Sequence, residues 1–459
     1  MNHPPVYYFL GIGGIGMSAI ARHFNESGFR VAGYDKTPSD LTAQLEAEGI
    51  EISFLDDFES VPADFKDISS CSVVYTPAIP ADNQILNGFR SAGFALKKRS
   101  VMLGEISRDT FNIAVAGTHG KTTTSCLVSH LLHTAQIPFS AFLGGVSSDL
   151  GSNYFNSGVR VDGVKITVTE ADEFDRSFLT LNPDISIITS TDADHLDIYG
   201  KESEVKKSFA DFAGKLKPGG ALFHAAGADV ALPDYGGHFS YGINRGDYSA
   251  REVRFEKGQF IFNLHLPNAQ YKNMVLSIPG WHNVENAVAA AAVAHYLGAD
   301  ESSIRLALRT FKGVKRRFEF VKNDDDGIFI DDYAHHPTEL SAIISSVKKM
   351  YPDKKITGIF QPHLYSRTRD FADGFAESLS LLDRVILMPI YPARELPTQG
   401  VNSEMILNRM NHPNAGICSR ESLTEVLSQQ PVEVLVTLGA GDIDREIKRL
   451  KVWMDGRNQ

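Results

Sequence analysis

The segment from Gly117 to Thr124 has the residue types that bind nucleotide phosphates. It reads Gly-Thr-His-Gly-Lys-Thr-Thr-Thr and follows the predicted strand 112–116. Amides of such a loop surround phosphate oxygens, Lys121 brings a point charge to the outer phosphates, and the Thr122 hydroxyl can bind Mg²⁺. Valine at position 115 replaces the glycine of the common P-loop, so the loop is a shortened variant. A strand–turn–helix without a ligand is the alternative. The predicted phosphate-binding residues are Gly117, Thr118, His119, Gly120, Lys121, Thr122 and Thr123.

Two acidic segments follow apolar strands further along the chain. The first, Glu170 to Asp175, has four acids in six positions, and the second, Asp192 to Asp197, contains His195. A carboxylate at a strand end can face a Mg²⁺ ion that phosphates also bind. A neutral imidazole can be the ligand of a second metal. A solvated acidic face and a structural histidine are the respective alternatives.

A second glycine-rich turn, Gly11-Ile-Gly-Gly-Ile-Gly16, lies near the amino terminus. It follows a strand and opens a helix, and Asp35 ends the next strand. Glycines let the backbone approach a diphosphate closely, the helix N-terminus favours its charge, and an acid at position 35 would accept hydrogen bonds from a ribose. The pattern fits NAD or another nucleotide diphosphate, and a tight turn without a ligand remains the alternative.

Polar residues cluster again in the second half of the chain. Asn283 and Asn286 lie three apart at the start of an alanine-rich helix, where they can read an adenine or a ribose or simply cap the helix. The segments 331–339 and 361–369 follow strands, and carboxyl ends of parallel strands form the usual ligand edge of a sheet. Arg367 can bind a carboxylate or a phosphate through two hydrogen bonds.

The elements that position these residues alternate between strand and helix nearly throughout. This alternation predicts parallel α/β sheets. A chain of 459 residues suggests about three domains. We predict boundaries near residues 107 and 313, which gives domains 1–107, 108–312 and 313–459.

Composition and charge exclude several classes of protein. The net charge of −11 disfavours nucleic acid and anionic membrane surfaces as partners. The chain lacks a run of about 18 apolar residues, and its amino terminus lacks the basic region of a signal peptide. The 3 cysteines are far apart and form no CxxC pair, which predicts reduced thiols. We expect a cytoplasmic protein that acts on small molecules.

Taken in order, the motifs resemble those of the Mur ligases of bacterial peptidoglycan synthesis. They are GIGGIGMS at Gly11, GTHGKTTT at Gly117, EADEFDRSFL at Glu170, DADHLDIY at Asp192, HNVENA at His282, KRRFE at Lys315, DDYAHHPTE at Asp331, QPHLYSRTRDF at Gln361 and TLGAGDI at Thr437. The resemblance implies a Rossmann-like N-terminal domain that binds a UDP-sugar, a central P-loop ATP-binding α/β domain, and a Rossmann-like C-terminal domain that carries an amino acid.

The resemblance also implies roles for individual residues. The UDP-sugar site would comprise Gly11, Gly13, Gly14, Ile15, Gly16 and Asp35. The ATP site would add Asn283, Asn286, Arg317 and Asp331 to the loop. Thr122 and Glu170 would bind one Mg²⁺ and His195 a second. His336, His363 and Arg367 would lie near the amino acid and the acyl group. The catalytic set would be Lys121, His195, His363 and Arg367.

The implied reaction joins L-alanine to the lactyl carboxylate of UDP-N-acetylmuramate through an acyl phosphate, with ATP and Mg²⁺, in a monomer or homodimer. A family member that attaches a recovered tripeptide is one alternative. Its pattern has a cysteine where this chain has Gly13-Gly14 and a longer basic stretch where this chain has Ser177-Phe-Leu-Thr. A nicotinamide oxidoreductase would leave the lysine loop unexplained, and a regulatory P-loop ATPase would leave the first glycine turn unexplained. Leu364 stands where some alanine-adding members have arginine.

Overall fold

The computed structural model describes residues 5–192, 199, 201–256, 258–393 and 395–456. The described residues form three β-sheets in chain order, with helices between the strands. This confirms the predicted α/β class. The predicted boundaries at 107 and 313 stay predictions.

The N-terminal sheet has five parallel strands. They are β1 (Val6–Leu10), β2 (Arg30–Tyr34), β3 (Glu51–Ser53), β4 (Cys71–Tyr75) and β5 (Leu96–Lys98), and the helices are α1 (Ile15–Glu26), α2 (Asp40–Ala47), α3 (Gln84–Ser91) and α4 (Arg99–Arg108). The strand order is β3-β2-β1-β4-β5. Strand β1 is central and pairs on both sides, and its apolar run is largely buried. The first glycine turn follows at its carboxyl end.

The central sheet has ten strands. They are β6 (Phe111–Ala116), β7 (Ser140–Phe142), β8 (Tyr154–Asn156), β9 (Ile166–Glu170), β10 (Ile185–Ile188), β11 (Ala221–Ala225), β12 (Gly237–Ile243), β13 (Tyr248–Glu256), β14 (Gln259–Leu266) and β15 (Ala269–Leu276), and the helices are α5 (Lys121–Thr134), α6 (Glu202–Ala213), α7 (Trp281–Tyr296) and α8 (Glu301–Thr310). The order is β15-β14-β13-β12-β11-β10-β6-β9-β7-β8.

Strand β6 lies inside this sheet, parallel to both β9 and β10. In the register, Val115 pairs with Glu170 and Ala116 with Ile188. Parallel pairing therefore brings the loop after β6, the acid at the end of β9 and the segment after β10 to one edge of the sheet. This is the edge at which open α/β sheets bind ligands.

The C-terminal sheet has six strands. They are β16 (Glu319–Asp324), β17 (Gly327–Asp332), β18 (Ile356–Phe360), β19 (Arg384–Leu387), β20 (Ala415–Ile417) and β21 (Val434–Leu438), and the helices are α9 (Pro337–Met350), α10 (Tyr365–Asp370), α11 (Ala372–Leu379), α12 (Glu404–Leu407), α13 (Leu423–Ser428) and α14 (Ile447–Asp455). The order is β16-β17-β21-β18-β19-β20; β16 is antiparallel to β17 and the other pairs are parallel. Two clusters of buried apolar residues cover the strands of this sheet, and both clusters consist of residues from the C-terminal part of the chain.

By compactness the chain divides into two units. The first comprises Met1–Val253, Phe262–Val275 and Glu285–Phe311, and the second comprises Arg254–Ile261, Leu276–Val284 and Lys312–Gln459. The N-terminal sheet and most of the central sheet thus share one unit. No helix in the described part of the chain combines the length and the apolar character that crossing a bilayer requires.

Candidate active site

The loop between β6 and α5 requires glycine at two positions. Gly117 and Gly120 have φ angles of +138° and +82°, which residues other than glycine rarely adopt. A Cβ at position 117 would lie 1.9 Å from the Thr189 hydroxyl oxygen, and one at position 120 would lie 2.7 Å from the side-chain oxygen of Asn286. Neighbouring elements therefore pack directly on the loop, and Asn286 is placed beside it.

Hydrogen bonds from the segment after β10 fix the loop conformation. The amide of Thr118 donates to the Ser190 carbonyl at 3.2 Å, and the amide of His119 donates to the Ser190 hydroxyl at 2.9 Å. The hydroxyl of Thr118 accepts from the amide of Asp192 at 3.0 Å. Ser190 has no place in the sequence prediction, although it lies only two residues before the second acidic segment.

The Lys121 ammonium lies within the loop, against a buried carboxylate. It donates to the Gly117 carbonyl at 2.6 Å and lies 2.7 and 2.9 Å from the two Glu173 carboxylate oxygens. Glu173 is 1% exposed, and this burial raises its pKa to about 7, although the charge of Lys121 opposes the shift. Burial alone would lower the pKa of Lys121, but the carboxylates of Glu173, Asp172 and Glu170 raise it. Lys121 therefore carries its charge at neutral pH.

Thr122 and Glu170 present two oxygen atoms to a common point. The Thr122 hydroxyl donates to the Glu170 carboxylate at 3.1 Å, and the other oxygen of that carboxylate accepts from the amide of Gly144 at 3.0 Å. Hard oxygen ligands from one hydroxyl and one carboxylate suit Mg²⁺, which takes its remaining ligands from water and phosphate. The pair fits the predicted ion. The predicted second ligand, His195, lies outside the described residues.

The alanine-rich helix α7 contains both predicted asparagines. Asn286 is 6% exposed and Asn283 is 3% exposed. The amide group of Asn283 donates to the Pro279 carbonyl at 2.5 Å, a contact that ties the helix start to the preceding loop. This bond fits the structural alternative for Asn283, and the adenosine contact of either residue stays a prediction.

The first glycine turn closes on Asp35. The Gly13 amide donates to the Asp35 carboxylate at 2.8 Å, and a Cβ on Gly13 would lie 2.9 Å from the same oxygen. Gly11 has a φ of +83°, and a Cβ there would lie 2.5 Å from the Thr76 methyl group. Helix α1 then starts without a side-chain cap and without an acid in its first turn. These features leave a positive helix end next to Gly14 and Ile15.

An arginine that the sequence prediction does not include lies at this helix end. A Cβ on Gly16 would lie 2.6 Å from a terminal nitrogen of Arg99, so the guanidinium packs on the first turn of α1. The same side chain donates to the Asp172 carboxylate at 3.1 Å. Asp172 directly precedes Glu173, the partner of Lys121, so Arg99 connects the first glycine turn with the acidic segment of the central sheet.

In the C-terminal unit, Asp331 is buried and bonded. It is 1% exposed, accepts a hydrogen bond from the Thr437 hydroxyl at 2.7 Å, and lies 3.3 Å from the Arg316 guanidinium. Arg316 also donates to the Gly439 carbonyl at 2.6 Å. Burial raises the pKa of Asp331, opposed by the charge of Arg316. These bonds give Asp331 and the unpredicted Arg316 an anchoring role between strand ends.

Two of the predicted amino-acid residues, His363 and Arg367, lie near His335 in the C-terminal unit. The ring of His363 stacks on that of Tyr391 with 5.8 Å between the ring centroids. It makes an edge contact with the His335 ring, whose centroid lies 6.2 Å away. Burial lowers the pKa of His335 to about 4; Glu339 opposes this shift, and the nearby charges of Arg367 and Arg317 add to it. This group therefore combines two arginines with neutral imidazole, which favours an anionic ligand.

The third predicted residue of this group, His336, has a structural contact. It caps α9 by accepting a hydrogen bond from the Thr338 amide at 3.4 Å. Its ring packs edge-on against that of Phe371, with 4.7 Å between the ring centroids. The Arg367 guanidinium, by contrast, makes no hydrogen bond or ion pair with any residue that the structure describes.

A shortened phosphate-binding loop at the carboxyl edge of a parallel sheet, with a lysine and an oxygen-ligand pair, defines a P-loop α/β protein of the kind that uses nucleoside triphosphates. Models of protein families match this chain in three consecutive segments. They are the Mur ligase family catalytic domain at residues 6–110, the Mur ligase middle domain at 115–294 and the Mur ligase glutamate ligase domain at 316–441. The chain belongs to the Mur ligase family, whose members use ATP.

Full-length relatives and a solved structure support this membership. The UDP-N-acetylmuramate–L-alanine ligase of Cytophaga hutchinsonii is 46% identical and covers 100% of this chain and 98% of its own. The protein of the same name from Porphyromonas gingivalis is 48% identical, with coverage of 97% and 98%. The crystal structure of the UDP-N-acetylmuramate–alanine ligase from Thermotoga maritima superposes with a TM-score of 0.82 at 28% identity, over 98% of this chain and 100% of that chain. The predicted three-domain architecture and family are confirmed.

Proposed function

We propose that this protein is an ATP-dependent ligase that joins L-alanine to the lactyl carboxylate of UDP-N-acetylmuramate, in peptidoglycan precursor synthesis. The observation that carries the proposal is the meeting of Lys121, Thr122 and Glu170 at one sheet edge, within a chain that matches the relatives over its full length. The names of those relatives supply the acceptor and the amino acid. The enzyme would act in the cytoplasm as a monomer or homodimer.

In the first step, the lactyl carboxylate oxygen attacks the γ-phosphorus of ATP, and the bond to the β-phosphate oxygen breaks to release ADP. Lys121 would leave Glu173 in part and stabilise charge on the phosphoryl oxygens, which is the main requirement of phosphoryl transfer. When bound, Mg²⁺ would supply further positive charge there. Thr122 and Glu170 would hold one ion, and His195 is the predicted ligand of a second.

In the second step, the neutral amine of alanine attacks the carbonyl carbon of the acyl phosphate. The tetrahedral intermediate then expels phosphate, and the amine proton must go to a base. Arg367 would bind the alanine carboxylate, because its guanidinium has no protein partner among the described residues. His363 is the proposed proton acceptor. Its ring stands on Tyr391, which orients it.

The first glycine turn would bind the UDP diphosphate. The positive end of α1 and the small glycines suit a diphosphate. Family membership favours a UDP-sugar over NAD here, and the oxidoreductase alternative has no residue set that explains the loop of Lys121.

A phosphate-release assay tests the function. The purified protein is supplied with ATP, Mg²⁺ and UDP-N-acetylmuramate, and with L-alanine, D-alanine, L-serine, glycine or an L-alanyl tripeptide. We expect release with L-alanine and a product heavier than UDP-N-acetylmuramate by one alanyl residue. Omission of UDP-N-acetylmuramate is the control and should abolish release. Release with the tripeptide alone would instead indicate the recycling ligase.

A further inference from the structure

The contact of Arg99 with helix α1 runs against the usual charge preference of helices. The guanidinium packs on Gly16, the second residue of α1, at the positive end of the helix. Anions stabilise such an end and cations do not. Among the described residues, the carboxylate that pairs with this charge is that of Asp172, from the acidic segment of the central sheet, at 3.1 Å. The arrangement places two sources of positive potential together, the helix end and the arginine.

The Asp172 carboxylate is a replaceable partner. Its side chain is 36% exposed while that of Arg99 is 21% exposed, so solvent reaches the pair. One Asp172 oxygen accepts from the Phe174 amide at 3.1 Å and keeps that bond if the arginine departs, while water can reach the other oxygen. A single hydrogen bond in a solvent-accessible ion pair contributes modestly to stability, and an arginine that binds a diphosphate through two hydrogen bonds gains more.

We infer that Arg99 is a binding residue for the diphosphate of the sugar nucleotide, and that it exchanges Asp172 for that ligand when the substrate binds. This inference rests on the proposed function, because it takes the first glycine turn as the diphosphate site. The turn, the uncapped end of α1 and Arg99 then surround one anion. Asp172, once released, adds negative charge beside Lys121 and Glu173 of the ATP loop, so the two nucleotide sites share a charged residue.

Binding of UDP to the full-length protein tests the inference by calorimetry. Arg99→Ala should weaken UDP binding about 10- to 100-fold, the range for losing a charge-assisted contact, and leave uridine binding unchanged. The UDP affinity of Arg99→Lys should lie between those of the wild type and Arg99→Ala, because lysine keeps the charge but cannot donate two parallel hydrogen bonds. Arg108→Ala, at the exposed far end of α4, is the matched control and should bind UDP like the wild type.

Asp172→Asn separates ligand exchange from a structural ion pair. If Asp172 competes with the diphosphate for Arg99, the variant should bind UDP a few-fold more tightly than the wild type. If the pair only ties the segments together, both Asp172→Asn and Arg99→Ala should weaken UDP binding and lower the melting temperature alike. That result would overturn the exchange.

UDP-N-acetylglucosamine distinguishes the diphosphate from the lactyl carboxylate, because it carries the first without the second. Arg99→Ala should weaken its binding as much as that of UDP-N-acetylmuramate. A loss confined to UDP-N-acetylmuramate would assign Arg99 to the carboxylate and overturn the inference. Unchanged UDP binding in Arg99→Ala with normal ligation by the wild type would refute the inference alone. Arginine-dependent UDP binding without alanine-dependent phosphate release would refute the proposed function alone, and a wild type that binds no UDP would overturn both.

Discussion

At the scale of single residues, Lys121 and Glu173 set the chemistry of the ATP loop together. A buried ion pair is costly to form, and removing one partner leaves an uncompensated charge. Glu173 is buried, with a pKa raised to about 7 by that burial. A substitution of Lys121 therefore changes stability as well as catalysis, and the two effects must be measured separately.

Lys121→Ala should lower kcat by about 10²-fold or more, because it removes one preorganised charge from the phosphoryl-transfer site. ATP should still bind, more weakly, through the loop amides. The melting temperature should fall as well, since the buried Glu173 carboxylate loses its ion pair with Lys121. The double variant Lys121→Ala/Glu173→Gln should recover most of the melting temperature and none of the activity. Ligation by folded Lys121→Ala at close to the wild-type rate would rule out the catalytic role.

Arg367→Lys should raise the KM for alanine about tenfold or lower kcat, and leave the KM for ATP nearly unchanged. Lysine keeps the charge but cannot bind a carboxylate through two parallel hydrogen bonds. Arg369→Lys is the matched control on the same helix, because Arg369 is exposed and pairs with the adjacent Asp370 at 2.7 Å. The measurement is the steady-state rate at low alanine concentration. An Arg367→Lys rate equal to that of the wild type under this condition would exclude this role for Arg367.

At the scale of elements, helix α1 is fixed by contacts with the first residue of strand β8 and with the residue before it. Buried Arg22 pairs with Glu48 at 2.7 Å and also donates to the side-chain oxygen of Asn153. Asn153 in turn donates to the Ser18 hydroxyl at 2.8 Å. One turn further on, His23 shares a hydrogen bond with the Tyr154 hydroxyl at 3.0 Å. The helix that starts at the first glycine turn is thus anchored along its length.

His23 should make this contact acid-sensitive. Burial lowers its pKa to about 4, and Lys165 adds to the shift. Between pH 6.5 and 4 the unfolded chain takes up a proton that the folded chain does not, so stability falls as pH falls, on the order of 3 kcal/mol at most. His23→Gln should show a smaller decline of melting temperature over this range. The comparison with wild type cancels the similar effect of His335. Parallel profiles for the two proteins would contradict the prediction.

The sequence predicted the sheets and the loop of Lys121 because both depend on local signals, apolar strands and glycines that end them. It could not predict the pairs that complete the site. Arg99 and Asp172 are 73 residues apart, and Lys121 and Glu173 are 52 apart, so neither pair forms a local pattern. Glu173 lay within a recognised acidic segment, but its burial arises only in the folded chain, where the Tyr199 hydroxyl also donates to its backbone carbonyl at 2.6 Å. The raised pKa of Glu173 results from this burial, which the sequence alone does not predict.

At the scale of the whole molecule, ligand preference distinguishes the ligase from the oxidoreductase. A ligand that binds only the folded state stabilises it by about 2.7 kcal/mol at a concentration 100 times its Kd. UDP-N-acetylmuramate should therefore raise the melting temperature by a few degrees, and NAD at the same concentration should leave it unchanged. Asp35→Ala should reduce the shift from UDP-N-acetylmuramate, because it removes the partner of the Gly13 amide. A shift with NAD alone would support the oxidoreductase.

The anchoring of α1 also has a consequence for how the chain folds. Arg22 is 4% exposed, and Asn153, which accepts one of its hydrogen bonds, is 0% exposed. A fragment that ends near residue 107 would lose Asn153 and leave a buried guanidinium with fewer partners, a cost of about 1–3 kcal/mol or more. For a domain whose net stability is only about 5–15 kcal/mol, this is a large fraction. We therefore expect the N-terminal sheet and the segment that contains Asn153 to gain protection from hydrogen exchange together.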